Sequence, residues 1–275
     1  MAVAEDLALA IAVTRTAADL ALGHFAARSE WWEKSPGDPV GIADLEVDAL
    51  LKSALLGARP TDGWLSEETA DTADRLERSR VWVVDPIDGT RDFVKGRTGW
   101  AVSVALVEDG VVSVAALAAP ARGQLFTAAR GQGAFCNRIA IGVAGLTSLA
   151  GVRLPMDAAN LSAPFWPSPW PGEVVEKPNS IALRMGKVAN GEADAWLEGR
   201  RVWEWDIAAA SLILAEAGGV MTDRHGAALA FNKTVPLIDG IAAANAALHA
   251  EVLARLDHAL RVFAARRGGV SAPAD

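Results

Sequence analysis

The segment VWVVDPIDGTRDF, residues 81–93, places two carboxylates, Asp85 and Asp88, directly after a run of apolar residues. Carboxylates are rarely found beside a protein core unless a positive charge or hydrogen-bond donors compensate for their burial. Thr90 follows a glycine and begins a stretch that is typical of a helix start, where free backbone N–H groups can bind phosphate. From the residues alone, DPIDGT could also be a simple turn, because Asp, Pro and Gly are turn formers.

Further acidic residues lie at the ends of other apolar segments. Glu67 and Glu68 close the stretch GWLSEE, and Asp206 follows VWEW at the start of a long apolar helix, where a capping role would also explain it. The four histidines lack the spacing of a zinc site, and Cys136 is the only cysteine. Oxygen ligands alone select Mg²⁺ or a similarly hard cation. The acids therefore indicate metal-assisted phosphate chemistry, with an activated water as nucleophile.

Two other kinds of phosphate site do not match the spacing. Aspartyl-phosphate phosphatases of the haloacid dehalogenase type use D-x-D-G-T near the N-terminus, whereas this chain has D-x-x-D-G-T at residues 85–90. The additional residue changes the direction of the second carboxylate. The nucleotide-binding motif G-x-x-x-x-G-K-[ST] is absent from the sequence.

With these motifs the chain resembles the inositol monophosphatase superfamily of Mg²⁺-dependent, lithium-sensitive phosphatases. The resemblance covers roughly residues 5–260 and rests on four motifs in order, which are GWLSEE, WVVDPIDGTRDFVKG, LFTAARGQGAFCN and EWDIAAASLILAEAGGVMTD. It implies an α+β fold, a layered α-β-α-β-α sandwich, and usually a homodimer.

The resemblance also implies roles for individual residues. Two or three Mg²⁺ ions would be held by Glu67, Asp85, the Ile87 carbonyl, Asp88 and Asp206. Thr90 would bind the attacking water with Asp44 as its proton acceptor, so Thr90, Asp44 and Glu67 are the expected catalytic residues. Gly89 and Thr90 would receive the phosphate in a direct in-line displacement without a phosphoenzyme.

The substrate is the least determined property. Arg91 and Asp92 replace the TN of the DPIDGTTNF that is typical of inositol monophosphatases, and this favours the 3′(2′),5′-bisphosphate nucleotidase branch. Inositol-1-monophosphatase and a broad sugar-phosphate or histidinol-phosphate phosphatase are the alternatives. Glu198 resembles the acid that contacts inositol hydroxyls, although its spacing to Asp206 is one residue longer than usual. Ser180 lies near the family's substrate contacts, and Arg91 is a further candidate.

Basic and aromatic residues offer further contacts for a larger substrate. The candidates for a second phosphate are Arg184, Lys187, Arg200 and Arg201, although solvated surface charges are the commoner case. Trp166 and Trp170 could stack on a base, but we expect them to cover the core. A non-catalytic regulatory protein on the same scaffold is disfavoured, because the acid set is intact.

The composition is that of a soluble globular protein. Of 275 residues, 51% are apolar and 22% are charged, and the net charge of −8 argues against a surface that coats nucleic acid. The N-terminus has no cationic segment followed by a continuous apolar run, so we expect no signal peptide and a cytoplasmic location. The expected partner is a small phosphorylated metabolite, with neither a membrane nor a nucleic-acid polymer.

We expect two halves, an α+β half at residues 1–145 that carries DPIDGT and an α/β half at residues 146–265 that carries WDIAA, followed by a disordered tail at 266–275. Helices are predicted at 3–28, 45–58 and 205–223, strands at 64–68 and 81–84, and a hairpin at 99–120. The remaining segments are predicted to be a connector at 34–44, a solvated helix or loop at 71–80 and a surface loop or lid at 163–172.

Overall fold

A computed structural model describes residues 2–268 of the chain. These residues form six α-helices: α1 (Ala2–Ala27), α2 (Ile42–Ala58), α3 (Thr90–Val94), α4 (Ile181–Ala189), α5 (Glu204–Glu216) and α6 (Ala246–Gly268). The strands of the same range are β1 (Trp31–Ser35), β2 (Asp38–Gly41), β3 (Gly63–Ser66), β4 (Arg80–Asp88), β5 (Ala101–Glu108), β6 (Val111–Ala119), β7 (Gln124–Ala129), β8 (Ala134–Cys136), β9 (Ile139–Ala140), β10 (Val152–Leu154), β11 (Gly172–Val174), β12 (Ala195–Trp203), β13 (Gly219–Thr222) and β14 (Leu237–Asn245).

Two sheets and three groups of helices alternate in space. The larger sheet has the order β3-β4-β5-β6-β7-β8-β9, with β3 and β4 parallel and the other neighbours antiparallel. The smaller sheet, β12-β14-β13, is antiparallel. Helices α1 and α2 cover one face of the larger sheet, α4 and α5 lie between the sheets, and α6 packs on the smaller sheet. The predicted layered α-β-α-β-α sandwich is confirmed.

The strands of the larger sheet are apolar on both faces because each face is covered by helices. Along β5, Val102 and Val104 lie in the core beneath α1 and α2, whereas Ala101 and Ala105 lie in the core beneath α5. Successive strand residues point to opposite faces, so two cores require a continuous apolar run. The VWVV run of β4 follows the same rule, and the predicted doubly buried strand is confirmed.

A third core lies beneath α6 and contains Trp170, which is 4% exposed. Trp166 packs against the same cluster, and its ring lies 5.4 Å from that of Trp170. The expectation that these tryptophans cover the core is therefore confirmed.

Several predicted boundaries differ from the structure for local reasons. The connector predicted at 34–44 contains the turn and second strand of the β1–β2 hairpin, which begins at Trp31. Helix α2 begins at Ile42, where the Asp44 carboxylate accepts the Gly41 N–H at 2.8 Å. The predicted helix at 205–223 ends at Glu216, and Gly218, with φ 86°, turns the chain into β13.

The prediction of a solvated segment at 71–80 is wrong at Arg75, which is 2% exposed. Its guanidinium donates to both carboxylate oxygens of Asp71 and also to Asn232 Oδ1 and the Lys233 carbonyl. These bonds anchor the segment to the loop before β14, because a buried guanidinium must have its N–H groups satisfied.

The two ends of the described chain are helical. Residues Val3–Ala27 of α1 are long and apolar enough to cross a membrane by length and composition, but α1 packs against α2 and β6, as a core helix of a soluble protein does. Helix α6 continues to Gly268, so residues 266–268 of the predicted tail are helical. Residues 269–275 lie outside the described part of the chain, and the boundary at 145 stays a prediction.

Candidate active site

A β-bulge brings Asp85 and Asp88 to the same cavity. Asp85 pairs with Ser103 and Asp88 with Ala101, so three steps along β4 match two steps along β5. Residues three apart on a regular strand point to opposite faces, and the extra residue of a bulge corrects this difference. Asp85 is 1% exposed and Asp88 is 5% exposed. Both residues line the cavity.

Helix α5 supplies the third carboxylate, Asp206. The backbone N–H of Trp203 donates to Asp206 Oδ2 at 3.1 Å, which fixes the side chain in the first turn of the helix. One oxygen each of Asp85, Asp88 and Asp206 lie within 4.8 Å of one another. We call these three residues the carboxylate cluster.

The carboxylate cluster has the electrostatics of a cation site. Burial, followed by the charges of Glu67 and Asp88, raises the pKa of Asp85 well above its usual range. Burial and the charge of Asp88 likewise raise the pKa of Asp206. A divalent cation among these oxygens would relieve the repulsion, and carboxylate oxygens are the ligands that hard cations prefer. The donor set therefore fits a divalent metal ion.

Helix α4 positions Asp88. Ser180 Oγ and the Ala182 N–H donate to Asp88 Oδ2 at 2.5 and 2.7 Å, and the Ile181 N–H donates to Oδ1 at 3.1 Å. Ser180 is fully buried and also accepts the Leu183 N–H at 3.0 Å as the cap of α4. Its hydroxyl is thus engaged behind the cavity wall, whereas the family resemblance implied a position near the substrate.

Gly89 connects β4 to α3 and requires the absence of a side chain. Its φ is 95°, and a Cβ atom would lie 2.7 Å from both the Gly99 carbonyl oxygen and the Ser180 backbone nitrogen. Neither backbone atom can move away from such a Cβ atom unless the loop that holds Asp88 also moves. The glycine of DPIDGT is therefore a steric requirement of the site.

Thr90 and Asp44 are neighbours, as the resemblance implied. Thr90 Oγ1 lies 3.3 Å from Asp44 Oδ1 and 3.0 Å from the Ile87 carbonyl oxygen. The hydroxyl has one proton, so the two acceptors compete for it. Burial raises the pKa of Asp44 to about 7, although the hydrogen bond from Gly41 opposes this shift.

Glu67 follows β3 and lies in the wall of the same cavity, beside the carboxylate cluster. Burial and the neighbouring carboxylates raise its pKa to about 7, although nearby Lys34 opposes the shift. Lys34 Nζ lies 3.5 Å from Glu67 Oε1 and 2.5 Å from Glu68 Oε1. Lys34 was not predicted from the sequence, because the Pro- and Gly-rich hairpin around it carries no pattern that indicates a function.

Arg91 and Asp92 form hydrogen bonds to two different loops. Arg91 donates through Nε and Nη2 to the Gly37 carbonyl at 3.0 and 2.7 Å, and its side chain lines the cavity. The Asp92 carboxylate accepts the Asn179 N–H at 3.0 Å. Of the two residues that distinguish this motif, Arg91 faces the cavity and Asp92 holds the loop before α4.

A second bulge explains the long spacing between Glu198 and Asp206. Glu198 pairs with Ile241 and Arg201 with Asp239, so β12 has one more residue than β14 at this point. The Glu198 carboxylate binds Arg200, whose Nη2 lies 3.1 Å from Oε2. Glu198 lines an adjoining cavity of about 370 Å³ and lies outside the wall of the carboxylate cavity.

The active-site cavity has a volume of about 280 Å³. Its wall contains the predicted acids and also basic and aromatic residues, namely Arg91, Arg184, Arg200 and Trp203, which we call the rim. Its wall includes Glu67, Asp85, Asp88, Gly89, Thr90, Arg91, Asn179, Arg184, Arg200, Trp203 and Asp206. Asp44 and Ser180 contact this wall from behind. Lys187, which was a candidate for a second phosphate, instead pairs with Glu192 at 2.8 Å.

Comparison with known proteins places this geometry in one family. The inositol monophosphatase family model matches residues 2–261. A histidinol-phosphatase from Mycobacterium tuberculosis is 34% identical over 92% of this chain and 98% of its own length. An inositol-1-monophosphatase from Rhizobium meliloti is 34% identical over 70% of this chain and 75% of its own. The solved structure of the Thermotoga maritima IMPase superposes with a TM-score of 0.82 at 27% identity, covering 94% of this chain and 99% of that one.

One relative carries the name of a different reaction. A Streptomyces griseus protein named glucose-1-phosphate thymidylyltransferase is 35% identical over 86% of this chain and 93% of its own length. The family match over residues 2–261 and the two phosphatase relatives, by contrast, agree with the carboxylate cluster. The chain belongs to the inositol monophosphatase family, whose members are metal-dependent, and it is a phosphomonoesterase that acts on small phosphorylated compounds.

Proposed function

We propose that the carboxylate cluster and Glu67 hold two or three Mg²⁺ ions, with the Ile87 carbonyl as a further ligand. The observation that carries this proposal is the approach of three carboxylates, two buried and one half-buried, to within 4.8 Å of one another. Bound Mg²⁺ would act as a Lewis acid at the phosphate and would lower the pKa of a water molecule. Oxygen ligands without nitrogen or sulfur favour Mg²⁺ over zinc.

The residues around the metal site orient the reacting groups. The Thr90 hydroxyl holds the attacking water, and the Asp44 carboxylate, 3.3 Å from that hydroxyl, accepts the proton. Backbone groups of Gly89 and Thr90 receive the phosphate. The water oxygen forms a bond to phosphorus as the ester oxygen leaves on the opposite side, so no phosphoenzyme is formed.

For the substrate, we propose a 3′(2′),5′-bisphosphate nucleotide. Three arginines, Arg91, Arg184 and Arg200, line the cavity that contains the carboxylate cluster, and a second phosphate would need such cations. Arg184 is already engaged by the Pro178 and Asn179 carbonyls. Arg200 is the better candidate, because its side chain is 85% exposed and pairs only with Glu198 among the contacts of the described chain.

Histidinol phosphate is the second candidate, because the Mycobacterium tuberculosis relative named histidinol-phosphatase aligns over 92% of this chain. Inositol 1-phosphate is the third, on the basis of the Rhizobium meliloti relative. Neither compound has a second phosphate, so neither needs Arg200.

A parallel assay of phosphate release tests the proposal, with and without Mg²⁺. The substrates are 3′-phosphoadenosine 5′-phosphate, histidinol phosphate, inositol 1-phosphate and fructose 1,6-bisphosphate. We expect Mg²⁺-dependent turnover, with the highest kcat/KM for 3′-phosphoadenosine 5′-phosphate. A higher kcat/KM for either single-phosphate compound would contradict the nucleotidase proposal, and no turnover of any substrate would contradict the enzyme's proposed site.

We further propose that the enzyme is a cytoplasmic homodimer that binds neither membranes nor nucleic-acid polymers. The acidic net charge of −8 supports the last point, because like charges repel the nucleic-acid backbone. Light scattering coupled to size exclusion would give the mass in solution, and a single 28.7 kDa species would contradict the dimer.

A further inference from the structure

Trp203 presents an uncovered aromatic face at the active-site cavity. It is 43% exposed and lines the cavity that contains the carboxylate cluster. The other face of its indole stacks on Trp205, with ring centroids 4.7 Å apart and an angle of 8° between the planes. One face of the ring is therefore packed, and a large apolar surface is left beside a charged site.

The position of this ring relative to the carboxylate cluster is fixed. The backbone N–H of Trp203 donates to Asp206 Oδ2. The residue that carries the ring therefore also holds a member of the carboxylate cluster. Trp205 is buried, at 8% exposure, and its ring limits rotation of the indole stacked on it. An aromatic surface held in this way can bind a planar group at little cost in side-chain entropy.

We infer that the free face of Trp203 stacks on the nucleobase of the substrate while the ester phosphate lies at the carboxylate cluster. The inference rests on the proposed nucleotide substrate. The base is the group that a nucleotide has and a polyol phosphate lacks. Stacking suits any base, because every base has a flat π surface. Arg200 belongs to the same strand, β12, and lines the same cavity, where it can bind an additional anionic group.

The adjoining cavity offers a different aromatic group, but its rings already contact one another. Phe165 lies 4.7 Å from Trp166 and 5.0 Å from Phe263, measured between ring centroids. Phe263 is nevertheless 42% exposed, which matches the exposure of Trp203. It therefore provides a control of equal exposure that lies outside the carboxylate cavity.

Competitive inhibition by adenosine 5′-monophosphate and by ribose 5-phosphate tests the inference, because these ligands differ only in the base. Inhibition is measured against whichever phosphomonoester the wild-type enzyme hydrolyses best. We expect adenosine 5′-monophosphate to bind at least about 10-fold more tightly to the wild type, as a base stacked on an aromatic side chain does. Trp203→Ala should abolish this difference, Trp203→Phe should retain most of it, and Phe263→Ala should leave it unchanged.

The outcomes separate this inference from the proposed function. The role of Trp203 is overturned if Trp203→Ala still binds adenosine 5′-monophosphate more tightly than ribose 5-phosphate. It is also overturned if Phe263→Ala, and not Trp203→Ala, loses this difference in affinity. Equal inhibition of the wild type by both ligands overturns base recognition altogether. Failure to hydrolyse 3′-phosphoadenosine 5′-phosphate overturns only the nucleotidase proposal, because the inhibition assay uses another phosphomonoester. Thermal unfolding of each variant checks that the fold is retained.

Discussion

The carboxylate cluster and the rim of the cavity are held by different kinds of contact. Asp88 accepts hydrogen bonds from the start of α4, and Asp206 accepts one from the backbone of Trp203. Arg91, at the rim, and Lys34, beside Glu67, instead reach their partners through long side chains. Arg91 donates to the Gly37 carbonyl of the β1–β2 hairpin, and Lys34, in the exposed strand β1, pairs with Glu68. Backbone donors and the buried Ser180 hydroxyl hold the carboxylates of Asp88 and Asp206, whereas rotation about side-chain bonds can rearrange the rim. Substitutions at the cluster should therefore affect the chemical step, and those at the rim should affect substrate choice.

The largest expected effect comes from Asp88→Asn. A metal ligand is worth several kcal/mol of transition-state stabilisation, so we expect kcat to fall by about 1000-fold or more. The metal-free variant should unfold within about 3 °C of the wild type, because losing one of several repelling charges offsets the weaker bonds to α4. Phosphate release and thermal unfolding measure the two properties. Gross destabilisation would show that Asp88 is mainly a structural residue, which holds the turn to the start of α4.

Thr90→Ala should have the next largest effect. Loss of the hydroxyl that holds the attacking water should lower kcat by roughly 100-fold, with little change in KM. Thr90→Ser keeps the hydroxyl and is the matched control, which should retain most of the activity. Equal losses in the two variants would mean that packing of the threonine methyl group, and not the hydroxyl, is what matters.

The acids beside the carboxylate cluster, Asp44 and Glu67, should also make the stability of the metal-free protein depend on pH. The pKa values of Asp44 and Glu67 are about 7 in the folded protein, against ordinary values of 3.8 and 4.5. Between these values the folded state binds more protons than the unfolded state, so its stability falls as pH rises. Added Mg²⁺ should therefore raise Tm by about 2–5 °C more at about pH 8 than at about pH 5.5. An equal gain at both pH values would contradict the protonation of these acids.

The smallest effect is expected at the rim, from Arg91→Ala. The exposed Arg91 side chain holds the hairpin through the Gly37 carbonyl, and such contacts contribute about 1 kcal/mol or less. We expect kcat for inositol 1-phosphate to stay within about 5-fold of the wild type, which corresponds to that energy. A loss as large as that of Thr90→Ala would show that the rim takes part in the chemical step.

The acids at the ends of apolar segments followed from the sequence, because carboxylates in such places are a local pattern. The layers of the fold and the role of Asp44 were implied by the family resemblance, which several motifs in order carry. The bulges in β4 and β12 did not, since a bulge depends on the partner strand as much as on the bulged one. Ser180 matched a family position, but its burial behind Asp88 depends on how α4 packs. Trp203 gave no signal in the sequence, because an exposed tryptophan and a core tryptophan look alike in one chain.

The central claim is that the carboxylate cluster performs metal-dependent hydrolysis of a phosphomonoester. Phosphate release by wild-type enzyme stripped with EDTA, and again after Mg²⁺ is added back, tests it most directly. We predict no release above background from the stripped enzyme and full recovery with Mg²⁺, with no recovery in Asp88→Asn. Hydrolysis that continues at the same rate without metal, or that Asp88→Asn retains, would contradict the claim.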